Sequence, residues 1–254
     1  EHSAIVIVGD FNYSEMKEKI RAKFENWNPQ SDRLIYDIRI TPKQFNKPRV
    51  YLVDKDNSYE TTFMIGGYGV PMSNPDKIKI EVINTILGGR FTSWLNDELR
   101  VNAGLTYGAR SRFASYKYSG TFAMSSFTQT KNTEAAIDLA LKTYNRLFEK
   151  GIDEETLTSA KNYIKGQFPP NYETSNQLAS FFVQKFIYGL DDSYINDFEN
   201  TINSLSVDEA NRIIHKYFPK ENLQFTIVGK ASEIEKVVSK YGEITKISIQ
   251  VDKY

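Results

Sequence analysis

Residues 87–112 read LGGRFTSWLNDELRVNAGLTYGARSR. Two glycines, a short apolar repeat, a glycine turn and an alternating segment follow one another within this stretch. Gly88 and Gly89 suit a tight turn or a close approach between chains, because they carry no Cβ. Phe91, Leu95 and Leu99 recur at i, i+4 and i+8, which predicts one face of a helix. Arg100 falls at the end of that helix, where a cation suits the negative end of the helix dipole. Asn102-Ala103-Gly104 reads as the stop, with Gly104 as the residue able to turn left-handed. From Leu105 the period changes to two, placing Leu105, Tyr107 and Ala109 on one face of a predicted strand. Arg100 and Tyr107 thus flank one glycine turn, placed to converge on one spot.

Working outward, residues 61–70 (TTFMIGGYGV) read as a strand that Gly66, Gly67 and Gly69 bend or weaken. Between the two stretches, Asn74-Pro75 reads as an N-cap and first-turn proline. The helix they open runs to Leu87 with Ile78, Val82, Ile83 and Ile86 inward. After the central stretch, 116–127 reads as the hairpin partner of 105–113. The chain then turns helical. Ile137, Ala140, Leu141, Tyr144, Leu147 and Phe148 keep helical spacing up to Gly151. Asp153 caps the next helix, with Ile152 and Leu157 as a hydrophobic staple. Pro169-Pro170 ends that helix, and 176–188 and 194–202 read as further ones. Ser206 and Glu209 form a capping-box pattern for a helix reaching Tyr217. Strands and helices come in blocks, so an α+β layered domain is expected rather than a doubly wound sheet.

The two ends share a plan. Phe225 to Gly229 reads as a strand, followed by a helix from Ser232 and an alternating run at Ile247, Ile249 and Val251. Near the start, Ala4 to Val8 reads as a buried strand. A helix follows, capped by Ser14 with Met16, Ile20 and Phe24 on one face, then a strand over 34–40. Ile7-Val8-Gly9 matches Ile227-Val228-Gly229, and Ser14-Glu15-Met16 matches Ser232-Glu233-Ile234. Such self-similarity points to a duplicated unit. The offset of 227 − 7 = 220 residues implies roughly 170 residues upstream of the chain. Residues 1–45 are then the C-terminal remnant of a first homologous domain plus a linker, and 46–254 a second, complete one. A strand, a helix and a strand do not bury enough surface to fold alone.

The chain of 254 residues has 32 basic and 32 acidic side chains, a balance that favours neither nucleic acid nor an anionic membrane. No run of eighteen apolar residues exists for a membrane-crossing helix. With no cysteine, disulfide and thiol chemistry are excluded. Only His2 and His215 are available as imidazole ligands, too few for a typical zinc site, and no H-x-x-E-H occurs. Gly66-Gly67-Tyr68-Gly69 lacks the spacing of a phosphate loop. Asp153-Glu154-Glu155 reads as helix N-terminal charge. That leaves Arg100 and Tyr107, which the residues alone also explain as a helix C-terminal cation and an inward strand aromatic.

The motif L-R-x-x-x-G-L-T-Y-G, preceded by L-G-G-x-F-T-S, resembles the second-half domain of the pitrilysin/insulinase metallopeptidases, to which mitochondrial processing peptidase is similar. Trp94 stands where an Arg is common in that family. The resemblance implies a mostly antiparallel sheet covered by helices on one face, as in mitochondrial-processing-peptidase-like metallohydrolases. It implies zinc on another domain or a partner chain, bound through H-x-x-E-H, and no cofactor held here. It also implies that Arg100 and Tyr107, seven apart, reach a peptide substrate beside that zinc. Guanidinium offers two fixed donors to a carbonyl or carboxylate, and a phenol offers one to a developing oxyanion. Peptide substrate and a zinc-bearing domain or homologous subunit are the expected partners. A non-catalytic scaffold, like the respiratory-complex core proteins resembling this family, is the alternative. The same resemblance suggests a bacterial periplasm or cell envelope.

Overall fold

A computed structural model describes residues 3–27 and 45–249. The described elements are helix α1 (Tyr13–Phe24), strands β1 (Arg49–Asp54) and β2 (Glu60–Tyr68), helices α2 (Lys77–Asn84) and α3 (Trp94–Asn96), and strands β3 (Ala109–Ser115) and β4 (Gly120–Gln129). Helices α4 (Thr133–Glu149), α5 (Glu154–Gln167), α6 (Ser175–Tyr188), α7 (Ser193–Asn196), α8 (Phe198–Ser204) and α9 (Val207–Tyr217) follow. The chain closes with β5 (Gln224–Gly229), α10 (Ala231–Val238) and β6 (Glu243–Ser248).

The strands form one sheet in the order β3-β4-β2-β5-β1-β6. It is antiparallel from β3 through β4 and β2 to β5, and parallel where β1 lies between β5 and β6. The α10 crossover between β5 and β6 accounts for the parallel part, since parallel neighbours need a long connection. One face is buried: Val50, Leu52, Phe63, Ile65, Phe122, Met124, Phe225 and Ile227 all lie beneath helices. Alternate residues such as Thr62, Met64 and Thr226 face outward. Period-two alternation therefore does what it predicts, and helices cover a single face.

The helical layer follows the same logic. Ala136, Ile137, Ala140, Tyr144 and Leu147 line the inner stripe of α4. Tyr144 stacks on Phe122 at 5.3 Å and donates its hydroxyl to the Pro219 carbonyl at 2.7 Å. Each such buried large side chain contributes about 1.5–3 kcal/mol. Gly151, at φ +66°, ends α4. Asp153 caps α5 through the Thr156 N–H, over the buried pair Ile152 and Leu157.

Several expectations need correction. Ala4 to Val8 are not in a strand, and Ile5 and Ile7 are exposed, because no described strand offers them a ladder. Asn12, not Ser14, caps α1, its side chain accepting from the Ser14 and Glu15 N–H groups. No residue of α1 is buried, so Met16, Ile20 and Phe24 do not form a core face. The strand expected over 34–40 and the alternating position 251 lie outside the described residues. Asn74-Pro75 does not cap α2: Asn74 accepts from the Asp76 N–H in a local turn, and the helix begins at Lys77. Only half of the Ser206 box forms, since the Glu209 carboxylate goes instead to Lys79 at 2.6 Å. Gly66 and Gly67 do not break β2, whose ladder with β4 is unbroken as far as Tyr68, and Gly69 lies just beyond the strand. A Cβ on Gly66 would come within 2.0 Å of the Phe122 carbonyl oxygen, so its role is close approach.

Candidate functional site

Two π-helical turns shape the site. The first, Thr85–Gly89, follows α2; the second, Asp97–Asn102, follows α3. Widened turns of this kind are frequent at functional sites. In the first, Gly88 lies against β3: a Cβ there would come within 2.3 Å of the Ser111 nitrogen. Asn84, one residue earlier than the turn, donates to the Ser111 carbonyl at 3.0 Å and accepts from the Ser111 hydroxyl at 2.7 Å. Asn96 accepts from the Ala109 N–H at 2.9 Å. Side chains thereby take two backbone groups of the edge strand β3, which guards that stretch against pairing with another chain.

The second turn carries Arg100. Leu95 and Leu99 are buried beneath it, as expected. Phe91 is not on their face: it precedes the helix start at Trp94 and is 66% exposed. The turn ends through an Ala103 N–H bond to the Glu98 carbonyl and a Leu105 N–H bond to the Leu99 carbonyl. Gly104 supplies the left-handed residue, at φ +60°.

The strand expected from Leu105 begins only at Ala109, and Tyr107 is 75% exposed rather than inward. Side-chain bonds replace the ladder over these four residues. Thr128 donates to the Leu105 carbonyl at 2.6 Å, and the Ser126 hydroxyl lies 2.9 Å from the Gly108 carbonyl. Within the loop, Gly108 N–H donates to the Thr106 hydroxyl at 3.1 Å. The loop is therefore pinned to β4 while Tyr107 projects outward.

Arg100 and Tyr107 do come together. The guanidinium carbon of Arg100 lies over both rings, 4.6 Å from the Tyr107 ring centre and 4.6 Å from that of Phe91. Both site residues line a cleft of about 550 Å³ on the open side of the sheet. Phe91 and Asn96 belong to the same cleft and were missed by sequence reasoning. Phe91 was assigned to a core face by its spacing, and nothing local marks Asn96 as a partner of Ala109. Trp94 is buried, with Arg146 stacked over it at 3.8 Å. An Arg from α4 thus meets the ring at the position where the resemblance leads one to look for an Arg.

The cleft does not fit a metal. Among the described residues no group of three or more His, Cys, Asp or Glu side chains converges as metal binding requires. His215 packs edge-on against Phe148 at 5.7 Å, and His2 lies outside the described residues. What the arrangement offers is hydrogen-bond donors held beside aromatic surface. Among the described residues no helix is long and apolar enough to cross a membrane.

The family model described as "Peptidase M16 inactive domain" matches residues 1–164. A Helicobacter pylori protein named "Non-peptidase homolog YmxG" is 28% identical over 68% of the chain and 40% of its own length. The H. pylori "Zinc protease PqqE" is 24% identical over 86% of the chain and 49% of its own length. The chain therefore spans less than half of each of these curated relatives. Among solved structures, a peptidase M16 inactive domain from Pseudomonas fluorescens superposes with a TM-score of 0.76. It is 23% identical, over 87% of this chain and 52% of that one, and shares the fold.

Proposed function

The chain belongs to the family of peptidase M16 inactive domains, and from that premise we propose that it is the peptide-binding, non-zinc half of a zinc-dependent metallopeptidase. Residues 1–45 are the tail of a first homologous domain with its linker, and 46–254 form the second. Zinc belongs to another domain or to a partner chain, since the donors present here do not suit it.

The observation that carries this reading is the stacking of Arg100 on Tyr107 in one open cleft, at 4.6 Å. Arg100 offers two parallel N–H donors to a backbone carbonyl or carboxylate of the peptide. Tyr107 offers its hydroxyl to a carbonyl oxygen that gains negative charge during attack. Contact with two rings restricts the guanidinium, so fewer rotamers are lost when a peptide binds.

A second reading, a non-catalytic scaffold or partner subunit, is supported by the relative named as a non-peptidase homolog. Peptide binding separates the two. The purified chain should bind a labelled unfolded peptide, should carry no stoichiometric zinc after dialysis, and should cleave nothing by itself. Binding that disappears in Arg100→Ala supports the peptidase half; no peptide binding supports the scaffold. The curated relatives reported above are bacterial, and a bacterial periplasm or cell envelope is the compartment this reading assigns.

A further inference from the structure

The chain carries 32 basic and 32 acidic side chains, yet the open face beside β3 is one-sided. The Arg100/Tyr107 cleft continues into a larger groove of about 960 Å³, the two sharing Met64, Phe91, Asn96 and Arg110. Arg90, Arg110 and Arg112 line that groove. With Arg100, four guanidiniums thus border one continuous surface. Among the described residues the single carboxylate lining it, Glu81, is already ion-paired with Lys77.

None of the four arginines has a carboxylate partner among the described residues. Arg110 meets only the Ser125 hydroxyl, at 3.3 Å. Arg90 donates to the Ser159 hydroxyl at 3.0 Å, and its Nε is buried without a partner. Arg112 is exposed, with no ion pair or hydrogen bond to a described residue. The desolvated Nε of Arg90 costs free energy while it is unpaired, and the exposed guanidiniums of Arg110 and Arg112 stand open to incoming acceptors.

Their spacing suggests the shape of what they receive. Arg110 and Arg112 are two residues apart on one strand and project from the same open face, while Ala109 and Ser111 point inward. An extended peptide lying across the open face, rather than pairing with the edge of β3, repeats its own side chains with the same period. We propose that this groove selects extended peptide segments bearing acidic side chains at alternate positions, with Arg110 and Arg112 as the specificity-determining residues. The inference rests on the peptide-binding reading above and adds the substrate class. Arg100 serves the backbone near the reacting carbonyl; the other arginines read side chains further along.

The test is fluorescence anisotropy with the whole chain. The probes are a short labelled peptide with Glu at alternate positions, its Gln-for-Glu analogue, and a single-stranded oligonucleotide of equal charge. The Glu peptide should bind about tenfold more tightly than the Gln peptide, as expected for a few partly exposed charge pairs acting together. That preference should shrink between about 0.1 and 1 M salt, as the screening length falls from about 10 to about 3 Å. The Arg110→Gln/Arg112→Gln double variant should lose the preference, and Arg112→Lys should keep most of it. A circular-dichroism melt checks folding, and the wild-type peptide comparison decides the matter even if the double variant does not fold. Equal affinity for the Glu and Gln peptides would overturn the selectivity and leave peptide binding standing. No binding of either would overturn both. An oligonucleotide binding as tightly as the Glu peptide would assign the arginines to phosphates and overturn the proposal.

Discussion

The guanidinium carbon of Arg100 sits 4.6 Å from the ring centre of Tyr107 and at the same distance from that of Phe91. The two proposed substrate contacts are therefore one unit. Removing the cation removes the ring's support, so Arg100→Ala should raise KM and also lower kcat in a zinc-bearing assembly. Arg100→Lys should restore little, because an ammonium lacks the planar fork and stacks poorly. Steady-state kinetics on the assembled enzyme check this; a pure KM effect would mean that Tyr107 holds its position alone.

Phe91 tests the second ring contact of Arg100. It is 66% exposed, so Phe91→Ala should change stability by less than about 0.5 kcal/mol. Peptide affinity should nevertheless fall several-fold, through loss of one cation–π contact of about 0.5–1 kcal/mol. Thermal melts and peptide titrations read the two effects separately.

The Tyr107 loop depends on β4 hydroxyls. Thr128→Val removes the 2.6 Å bond to the Leu105 carbonyl and should cost about 1–3 kcal/mol. Proteolysis should then cut first at 104–108. Unchanged protection there would mean that the Gly104 turn alone fixes the loop.

Gly88→Ala places a methyl group within 2.3 Å of the Ser111 backbone. Overpacking of this kind should cost about 1–3 kcal/mol and lower the melting temperature. Gly104→Ala meets no neighbour, so its cost, of about 1 kcal/mol, comes from the positive φ alone.

These glycines mark how far the sequence could be read. Helical spacing located the inner stripes of α2 and α4, because burial imposes that period directly. Gly104 was legible because a left-handed turn needs it. The start of β3 was not. Leu105 to Gly108 alternate like a strand, but Ser126 and Thr128, far along the chain, supply the hydrogen bonds that keep them out of the ladder. The π-helical turns were equally invisible, since one extra residue per turn leaves Leu95 and Leu99 buried while Phe91 falls outside the helix. The arginine groove was missed because balanced totals conceal a local excess.

Burial of Tyr144 makes stability depend on pH on the alkaline side. Its ring is fully buried, and burial pushes its phenol well above the ordinary range near 10. The unfolded phenol ionises first as pH rises. The contribution to stability is therefore complete below about pH 10 and lost as pH climbs from there toward the folded value. Tyr241, also raised by burial and by its hydrogen bond to Asp138, acts in the same direction. Urea midpoints should fall between about pH 9 and 11, and Tyr144→Phe should partly flatten that fall while lowering stability at neutral pH by about 1 kcal/mol.

The most direct test of the central claim is kcat/KM for Tyr107→Phe in the zinc-bearing assembly containing this chain. The substitution removes only a hydroxyl and leaves the ring stacked on Arg100. If Tyr107 stabilises charge on the attacked carbonyl, kcat should fall by roughly ten- to a thousand-fold with KM nearly unchanged. Equal kcat/KM for wild type and Tyr107→Phe would contradict the assignment.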